Sequence, residues 1–248
     1  MTKAIVKHAY SILGNKYYDH RKNKTGVSYF YNELLEFPTT KKMLGKIKGK
    51  KILDLGCGPG IHSKKMSDLG ADVKGIDISK KLIDIAKKEA QNVKFIVGDV
   101  ENLPYKNNEF DIVVASLVMG HLNKWDKTLS EIRKVLKKEG IFIFSNYNPV
   151  TEKFVKKRCF FKKYRELKGY FEENMKKANW KENDRVSSNI VHYHKTYGTI
   201  IRMLTKSEFS IIDYEDCKPL KSAKYLFPKE YKRAMDYPHF CVWKVKKK

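Results

Sequence analysis

The run Ile52-Leu53-Asp54-Leu55-Gly56-Cys57-Gly58-Pro59-Gly60 constrains this chain more than any other feature. An apolar strand here runs straight into a glycine-rich turn and then into a helix starting near Ile61. Glycines in such a turn let the backbone approach a ligand closely, and the helix N-terminus behind them offers unpaired N–H donors. A dinucleotide fingerprint would need a further glycine at position 61, where the chain has Ile61. Nicotinamide or flavin binding is therefore the weaker reading.

Around that turn, short apolar runs alternate with amphipathic stretches, the pattern of a parallel sheet with crossover helices. Lys51 to Leu55, Asp72 to Ile76, Val93 to Val97, Phe110 to Ala115 and Ile141 to Ser145 read as five successive strands. Ile61 to Leu69 and Trp125 to Leu136 have helical spacing, the latter ending before a Lys137-Lys138-Glu139-Gly140 turn. Ser79 reads as an N-cap ahead of a helix whose apolar face is Leu82, Ile83, Ile85 and Ala86. Thr196 to Lys206 reads as a helix, and Phe209 to Tyr214 and Phe240 to Val245 as late strands. Ala4 to Leu44 is aromatic-rich and helical in pattern, and a Lys- and aromatic-rich insertion follows the fifth strand from Asn146 to about Arg185. Ligands of open α/β sheets sit at the carboxyl ends of the strands, so both segments are candidate lids.

The Asp54–Gly60 run resembles motif I of class I S-adenosylmethionine-dependent methyltransferases. The next strand ends in Gly75-Ile76-Asp77-Ile78-Ser79, similar to the family's second motif. The third ends in Gly98-Asp99-Val100, and Leu103-Pro104-Tyr105 leads to Glu109-Phe110-Asp111-Ile112-Val113 and then Ser116-Leu117. The resemblance implies a Rossmann-like α/β fold, a seven-stranded mostly parallel sheet with helices on both faces. It also implies S-adenosyl-L-methionine as cofactor, with S-adenosyl-L-homocysteine as product. The implied contacts are Asp54, Gly56, Cys57, Gly58 and Gly60 around the methionine part, Asp77 with Ile78 at the ribose, and Asp99 with Val100 at the adenine. Ser116 and Leu117 would stand at the cofactor's edge, and Tyr17 and Tyr18 would cover it. A carboxylate such as Asp77 offers two acceptor oxygens to two ribose hydroxyls.

More loosely, the chain resembles a prokaryotic group of small-molecule methyltransferases. The residues that carry this are Tyr31-Asn32-Glu33-Leu34-Leu35-Glu36-Phe37-Pro38, Tyr170-Phe171-Glu172, Trp180 and Val191-His192-Tyr193-His194-Lys195-Thr196. Lys195 stands where that group has Arg, and Asn148-Pro149 where it has His-Pro. On this reading one domain covers 1–248: an N-terminal helical cap (1–45), a cofactor-binding core (46–145), a lid and substrate insertion (146–195) and the C-terminal part of the sheet (196–248). Methyl transfer from a sulfonium needs in-line positioning above all, with a base only when the acceptor is protonated. His194, with Tyr193 beside it at the end of a β-like segment from Val186, is one candidate base, and His121 after the fourth strand is another. Each also reads as a structural residue. The Asn/Asp-Pro-Pro-aromatic motif of nucleobase amine methylation is missing, since Ser116-Leu117-Val118-Met119 stands in its place.

The charge bears on the acceptor. Lys and Arg number 52 against 28 Asp and Glu, a net +24. Arginine occupies only positions 21, 133, 158, 165, 185, 202 and 233, whereas bidentate phosphate recognition favours arginine. Lysine enrichment also arises from base composition or from life at high temperature, and that reading is preferred to nucleic-acid binding. Lys153 to Lys168, eight Lys/Arg to one Glu interleaved with Phe154, Phe160, Phe161 and Tyr164, keeps an RNA or protein substrate as the alternative to a small-molecule acceptor. A non-catalytic cofactor-binding module is a third. The four cysteines form no CxxC pair, so no metal cage is expected and Cys57 reads as packing. The longest apolar stretch, Ile112 to Gly120, is too short to span a bilayer, and the Lys-bearing start is unlike a signal peptide, so a cytoplasmic location is expected.

Overall fold

The computed structural model describes residues 2–159, 162–181 and 187–248, with the backbone alone for 2, 158–159, 162–163, 178–181 and 187. The chain enters through helix α1 (Thr2–Lys22), a short α2 (Gly26–Tyr29), a π-helical stretch Phe30–Glu36 and α3 (Phe37–Leu44). Pro38 explains part of this irregularity. It has no N–H for the Leu34 carbonyl one turn back, and a wide turn also relieves its ring's clash there. The Leu34 carbonyl instead accepts the Leu220 N–H at 2.8 Å.

The alternating core follows as β1 (Lys51–Leu55), α4 (Ile61–Asp68), β2 (Asp72–Asp77), α5 (Lys80–Glu89), β3 (Lys94–Val97), β4 (Phe110–Ala115), α6 (Asp126–Val135) and β5 (Leu136–Tyr147). Two antiparallel hairpins come next, β6 (Phe154–Cys159) with β7 (Lys162–Leu167) and β8 (Met175–Lys181) with β9 (Ser187–Tyr193). The chain closes with α7 (Tyr197–Lys206), β10 (Phe209–Asp216), α8 (Ala223–Leu226), α9 (Pro228–Asp236) and β11 (Phe240–Lys247). The main sheet is ordered β10-β11-β5-β4-β1-β2-β3. β11 runs antiparallel to both neighbours, and the other pairings are parallel. This is the expected Rossmann-like α/β sheet.

Side-chain alternation divides each strand between two cores. Ile52, Val73, Ile112, Val114, Ile143 and Val242 pack with α3, α4 and α5 residues such as Met43, Met66 and Ile83. Leu53, Leu55, Val113, Ala115, Phe142, Phe144 and Trp243 face the other way onto Leu129, Ile132, Ile200 and Leu204 of α6 and α7. A strand buried on both faces must be apolar at every position, which is why the central strands read as unbroken runs.

Local expectations hold where caps are explicit. Ser79 Oγ accepts the Leu82 N–H, and Thr196 Oγ1 caps α7 by accepting from Thr199. The 137–140 turn lies inside β5: Glu139 takes φ 61, and pairing with β4 jumps from Phe110↔Leu136 to Ile112↔Ile141. Val93 belongs to the turn before β3, its N–H bonded to the Ala90 carbonyl. Phe160 and Phe161, and the Trp180 side chain, lie outside the described residues. Among the described residues no helix is long and apolar enough to cross a membrane. Cys57, Cys217 and Cys241 are buried free thiols.

Candidate active site

The carboxyl edge of the sheet opens into a pocket of about 560 Å³, within the range that encloses drug-sized ligands. Its floor follows the strand order. Gly98, Asp99 and Val100 follow β3, Asp77 and Ile78 end β2, and Asp54, Gly56, Cys57 and Gly58 end β1. Ser116, Leu117, Val118 and His121 follow β4, Tyr147 ends β5, and His239 with Phe240 begins β11.

The β1 loop is shaped by left-handed glycines. Gly58 takes φ 54, and a Cβ added there would meet no atom within 4 Å, so the backbone is bare on that side. Gly60 takes φ 78, but its missing side chain serves packing: a Cβ would stand 2.9 Å from both Ala86 Cβ and Phe95 Cζ. Gly60 does not line the pocket; it lets α4 start against α5 and β3. Ser63 Oγ donates to Asp54 Oδ2 at 2.5 Å, and burial pushes the Asp54 carboxyl up to about 7. Burial also drives the Cys57 thiol far up, the opposite of what a nucleophilic cysteine needs.

Asp77 ties two turns together. Its Oδ2 accepts the Gly58 N–H at 2.9 Å and its Oδ1 accepts the Ser79 N–H at 2.8 Å. The side chain is nearly buried, and burial raises its pKa against the pull of those two bonds. Asp99 is less free than the sequence suggests, because Lys3 Nζ from the first turn of α1 donates to Asp99 Oδ2 and to Glu101 Oε2, each at 2.5 Å. That lysine pins the start of α1 across the end of β3.

After β4 the backbone is strained. Leu117 takes φ 57, rare for a residue with a γ-branched side chain, and its N–H donates to Ser145 Oγ at 2.9 Å. The Ser116 hydroxyl beside it is buried without a hydrogen-bond partner. His121 sits on a 3-10 turn, Met119–His121, anchored by the buried Trp125, whose Nε1–H donates to the Met119 carbonyl at 2.9 Å. His121 Nδ1 lies 2.6 Å from the Val191 carbonyl oxygen. A carbonyl can only accept, so Nδ1 carries the proton and the neutral ring leaves its lone pair on Nε2. Burial lowers the His121 pKa and favours that neutral form.

Helix α1 roofs the pocket through Lys3, Val6, Tyr10, Tyr17 and Arg21, spaced along one helical face. Tyr18 is off that face: its hydroxyl donates to Glu89 and receives Lys22 Nζ at 2.7 Å. Of the two tyrosines expected as cover, Tyr17 lines the pocket, with Tyr10 on the same helical face, and Tyr18 does not. Arg21 is buried and neutralised by Glu33, with Nε and Nη2 2.8 and 2.6 Å from Oε1, while Nη1 donates to the Tyr17 hydroxyl at 2.8 Å. Burial opposes the Glu33 charge, yet Arg21, His62 and Lys65 hold that carboxyl far below its ordinary range.

Residues 53–144 match the family model described as a methyltransferase domain. A Haemophilus influenzae protein of uncharacterised function is 31% identical over 234 residues, covering 87% of this chain and 88% of that one. The ubiquinone biosynthesis O-methyltransferase of Pelagibacter ubique is 33% identical over 140 residues, 55% of this chain and 58% of its own. The chain thus spans somewhat more than half the length of that enzyme. The solved S-adenosylmethionine-dependent methyltransferase of Mesorhizobium loti superposes with a TM-score of 0.70 at 23% identity, over 86% of this chain and 97% of that one. The chain belongs to the class I S-adenosylmethionine-dependent methyltransferases.

Two of the methyltransferase's three candidate catalytic residues stand away from the pocket. His194 is fully buried, with Nδ1 2.8 Å from Glu152 Oε2 and Nε2 2.8 Å from the Tyr170 carbonyl oxygen. Both nitrogens face acceptors, so the ring has no lone pair to offer and works as a strut joining 152 and 170 to the end of β9. Tyr193 is half-buried and does not line the pocket either. Lys195 is held by the Asn123 carbonyl at 2.7 Å, and Asn148 Nδ2 donates to Asp216 Oδ1 at 2.9 Å and to the Tyr197 hydroxyl at 3.0 Å. Sequence reasoning named Tyr17 but missed Tyr10 and Arg21, which the spacing of α1 could have revealed. It named Tyr31 only as part of a resemblance, and it missed Arg233 and His239, for which no local signal exists.

Proposed function

We propose that this methyltransferase transfers a methyl group from S-adenosylmethionine to a heteroatom of a small-molecule acceptor, with His121 as the base. The observation that carries this reading is the shape of the pocket. It continues past the ends of β3, β2 and β1 to β4, β5 and β11 under a roof of α1 and the π-helical stretch. The lining beyond the cofactor landmarks leaves room beside them for a small acceptor, which supports this reading over a polymer. The residues fit the cofactor: the bare backbone at Gly58, the unpartnered Ser116 hydroxyl and the two-oxygen acceptor Asp77 are what a ligand with an amino-acid end and a diol requires. Asp77 would meet the ribose, Asp99 and Val100 the adenine, Asp54 to Gly58 the methionine part, and Ser116 with Leu117 the edge facing the acceptor.

When bound, the cofactor supplies a methyl group already activated on a positive sulfur. The chain's own work is to orient, to exclude water and to move one proton. Tyr10 and Tyr17 close the roof, and the strained turn at Leu117 sets the edge of the acceptor compartment. His121 Nε2 takes the proton of an acceptor hydroxyl or amine, while Val191 holds the ring's other nitrogen.

Calorimetric titration with S-adenosylmethionine and S-adenosylhomocysteine, with NAD as control, tests the cofactor assignment. Micromolar binding of the first two alone is expected. The acceptor class is tested separately: tight RNA binding with a steep salt dependence, as counterion release produces, would sink the small-molecule reading.

A further inference from the structure

The acceptor end of the pocket holds an exposed cation that makes no ion pair among the described residues. Arg233, on α9, lines the pocket together with Tyr31, Tyr147, His239 and Phe240. Its Nε–H donates to His239 Nε2 at 2.8 Å, and its Nη2 donates to the Tyr31 hydroxyl at 2.6 Å. His239 Nδ1 lies 3.0 Å from the Tyr237 carbonyl oxygen, so that nitrogen is the donor and Nε2 the acceptor in a neutral ring. Two neutral groups therefore fix the orientation of the guanidinium without cancelling its charge.

Two other arginines are neutralised by carboxylates. Arg21 faces Glu33 inside the protein, and Arg133 pairs with Glu208. Arg233 makes no ion pair among the described residues, and even Glu230, one turn earlier on α9, does not reach it. A guanidinium has five N–H donors, and two are used here, which leaves three. A second arginine stands close by: Arg165 of β7 lies 4.5 Å from the centre of the Tyr237 ring, two residues from His239. Between Arg233 and the β4 edge the walls are aromatic. Tyr31 packs edge-on against Phe240 with ring centres 5.9 Å apart, and Tyr147 packs on Phe240 at 5.3 Å.

We infer that this end of the pocket is an oxyanion receptor, and that the methyl acceptor is a small molecule with a flat apolar body and a carboxylate or phosphate that Arg233 binds. The inference rests on the small-molecule reading above and adds the acceptor's charge and shape. The guanidinium fork matches either oxyanion in a bidentate way. The aromatic walls hold the body of the molecule, and the strand order sets Arg233 at the far end of the pocket from the adenosine landmarks, so the group to be methylated points back toward His121.

The test is calorimetric titration of the protein saturated with S-adenosylhomocysteine, with 4-hydroxybenzoate, phenyl phosphate and uncharged phenol as probes. At least one anion should bind about tenfold or more tightly than phenol, and the tighter of the two identifies the oxyanion. Arg233→Gln should bring that anion to the level of phenol without changing S-adenosylhomocysteine affinity, and Arg233→Lys should retain part of the preference. Equal binding of phenol and both anions, no saturable binding of any probe, or an anion preference that survives Arg233→Gln overturns the receptor. Failure of the wild-type protein to bind S-adenosylhomocysteine overturns the underlying cofactor reading instead.

Discussion

Asp77→Ala is the perturbation whose outcome the geometry most sharply divides. The carboxylate has two tasks in this reading: to accept hydrogen bonds from a ribose, and to accept the Gly58 and Ser79 N–H groups that hold the β1 loop against the end of β2. Hydrogen bonds to a charged acceptor contribute about 1.5–3 kcal/mol, so the first task alone predicts a Kd for S-adenosylhomocysteine weakened by about 10- to 150-fold. The second task appears elsewhere. Two buried N–H groups lose their acceptor, which costs about 1–3 kcal/mol for each that water cannot reach. Gly58 borders the pocket and can be rehydrated, so about one such penalty is expected in the free energy of unfolding. Asp77→Asn keeps one acceptor oxygen and should fall between the two. Calorimetry for affinity and urea unfolding for stability, on the same preparations, separate the tasks. A variant that is less stable yet binds S-adenosylhomocysteine as tightly as the wild type would refute the ribose role and leave Asp77 as a loop tether only.

Three further outcomes are expected. His121→Ala should lower turnover of a hydroxyl or amine acceptor by about 10²-fold or more, the usual contribution of a positioned base, while leaving S-adenosylhomocysteine affinity intact; unchanged turnover removes His121 from proton transfer. His194→Ala should instead reduce stability by a few kcal/mol, about 3–5 for a broken buried pair, and a variant that is fully stable but inactive would return His194 to the chemistry. Burial would raise the Glu152 carboxyl, but contacts from His192 and His194 outweigh it and hold it at about 2 against an ordinary 4.5. A depressed carboxyl adds stability above the unfolded pKa and loses it as pH falls through the folded one, so the gap in unfolding free energy between wild type and Glu152→Gln should narrow by about 1.4 kcal/mol per pH unit below 4.5. A gap that stays constant from pH 5 to pH 3 contradicts the assignment.

The core was legible because its signals are local. A strand buried on both faces reads as a continuous apolar run, and Ile52–Leu55 leads into its glycine turn within nine residues of sequence, as does Gly75–Ile78 into the Ser79 cap. Tyr18 was a misreading of a signal that was present: α1 turns Lys3, Val6, Tyr10, Tyr17 and Arg21 inward at intervals of three, four, seven and four, and Tyr18 falls outside that stripe. His194 was a different kind of error. Its role depends on Glu152 and Tyr170, 42 and 24 residues away, and nothing in the string Tyr193-His194-Lys195 shows that both ring nitrogens are spent. Arg233 lies further still from view, since Tyr31 is 202 residues distant along the chain.

That distance also changes how the net charge of +24 should be weighed. A minority of the described lysines pair with carboxylates, as Lys64 with Asp68, Lys80 with Asp84, Lys74 with Glu109 and Lys137 with Asp111, and exposed pairs of this kind contribute little to stability. They spread charge over the surface without directing it at a ligand. The two arginines of the pocket act differently because their surroundings differ. Arg21 is buried and cancelled by Glu33, so its force is spent inside the protein, fixing Tyr17 and the roof. Arg233 is held at the pocket wall by an imidazole and a phenol that take hydrogen bonds and no charge, so its charge stays available to a ligand there. The total charge describes what the whole surface attracts, whereas on the proposed reading substrate selection depends on a cation that the fold orients and that makes no ion pair among the described residues.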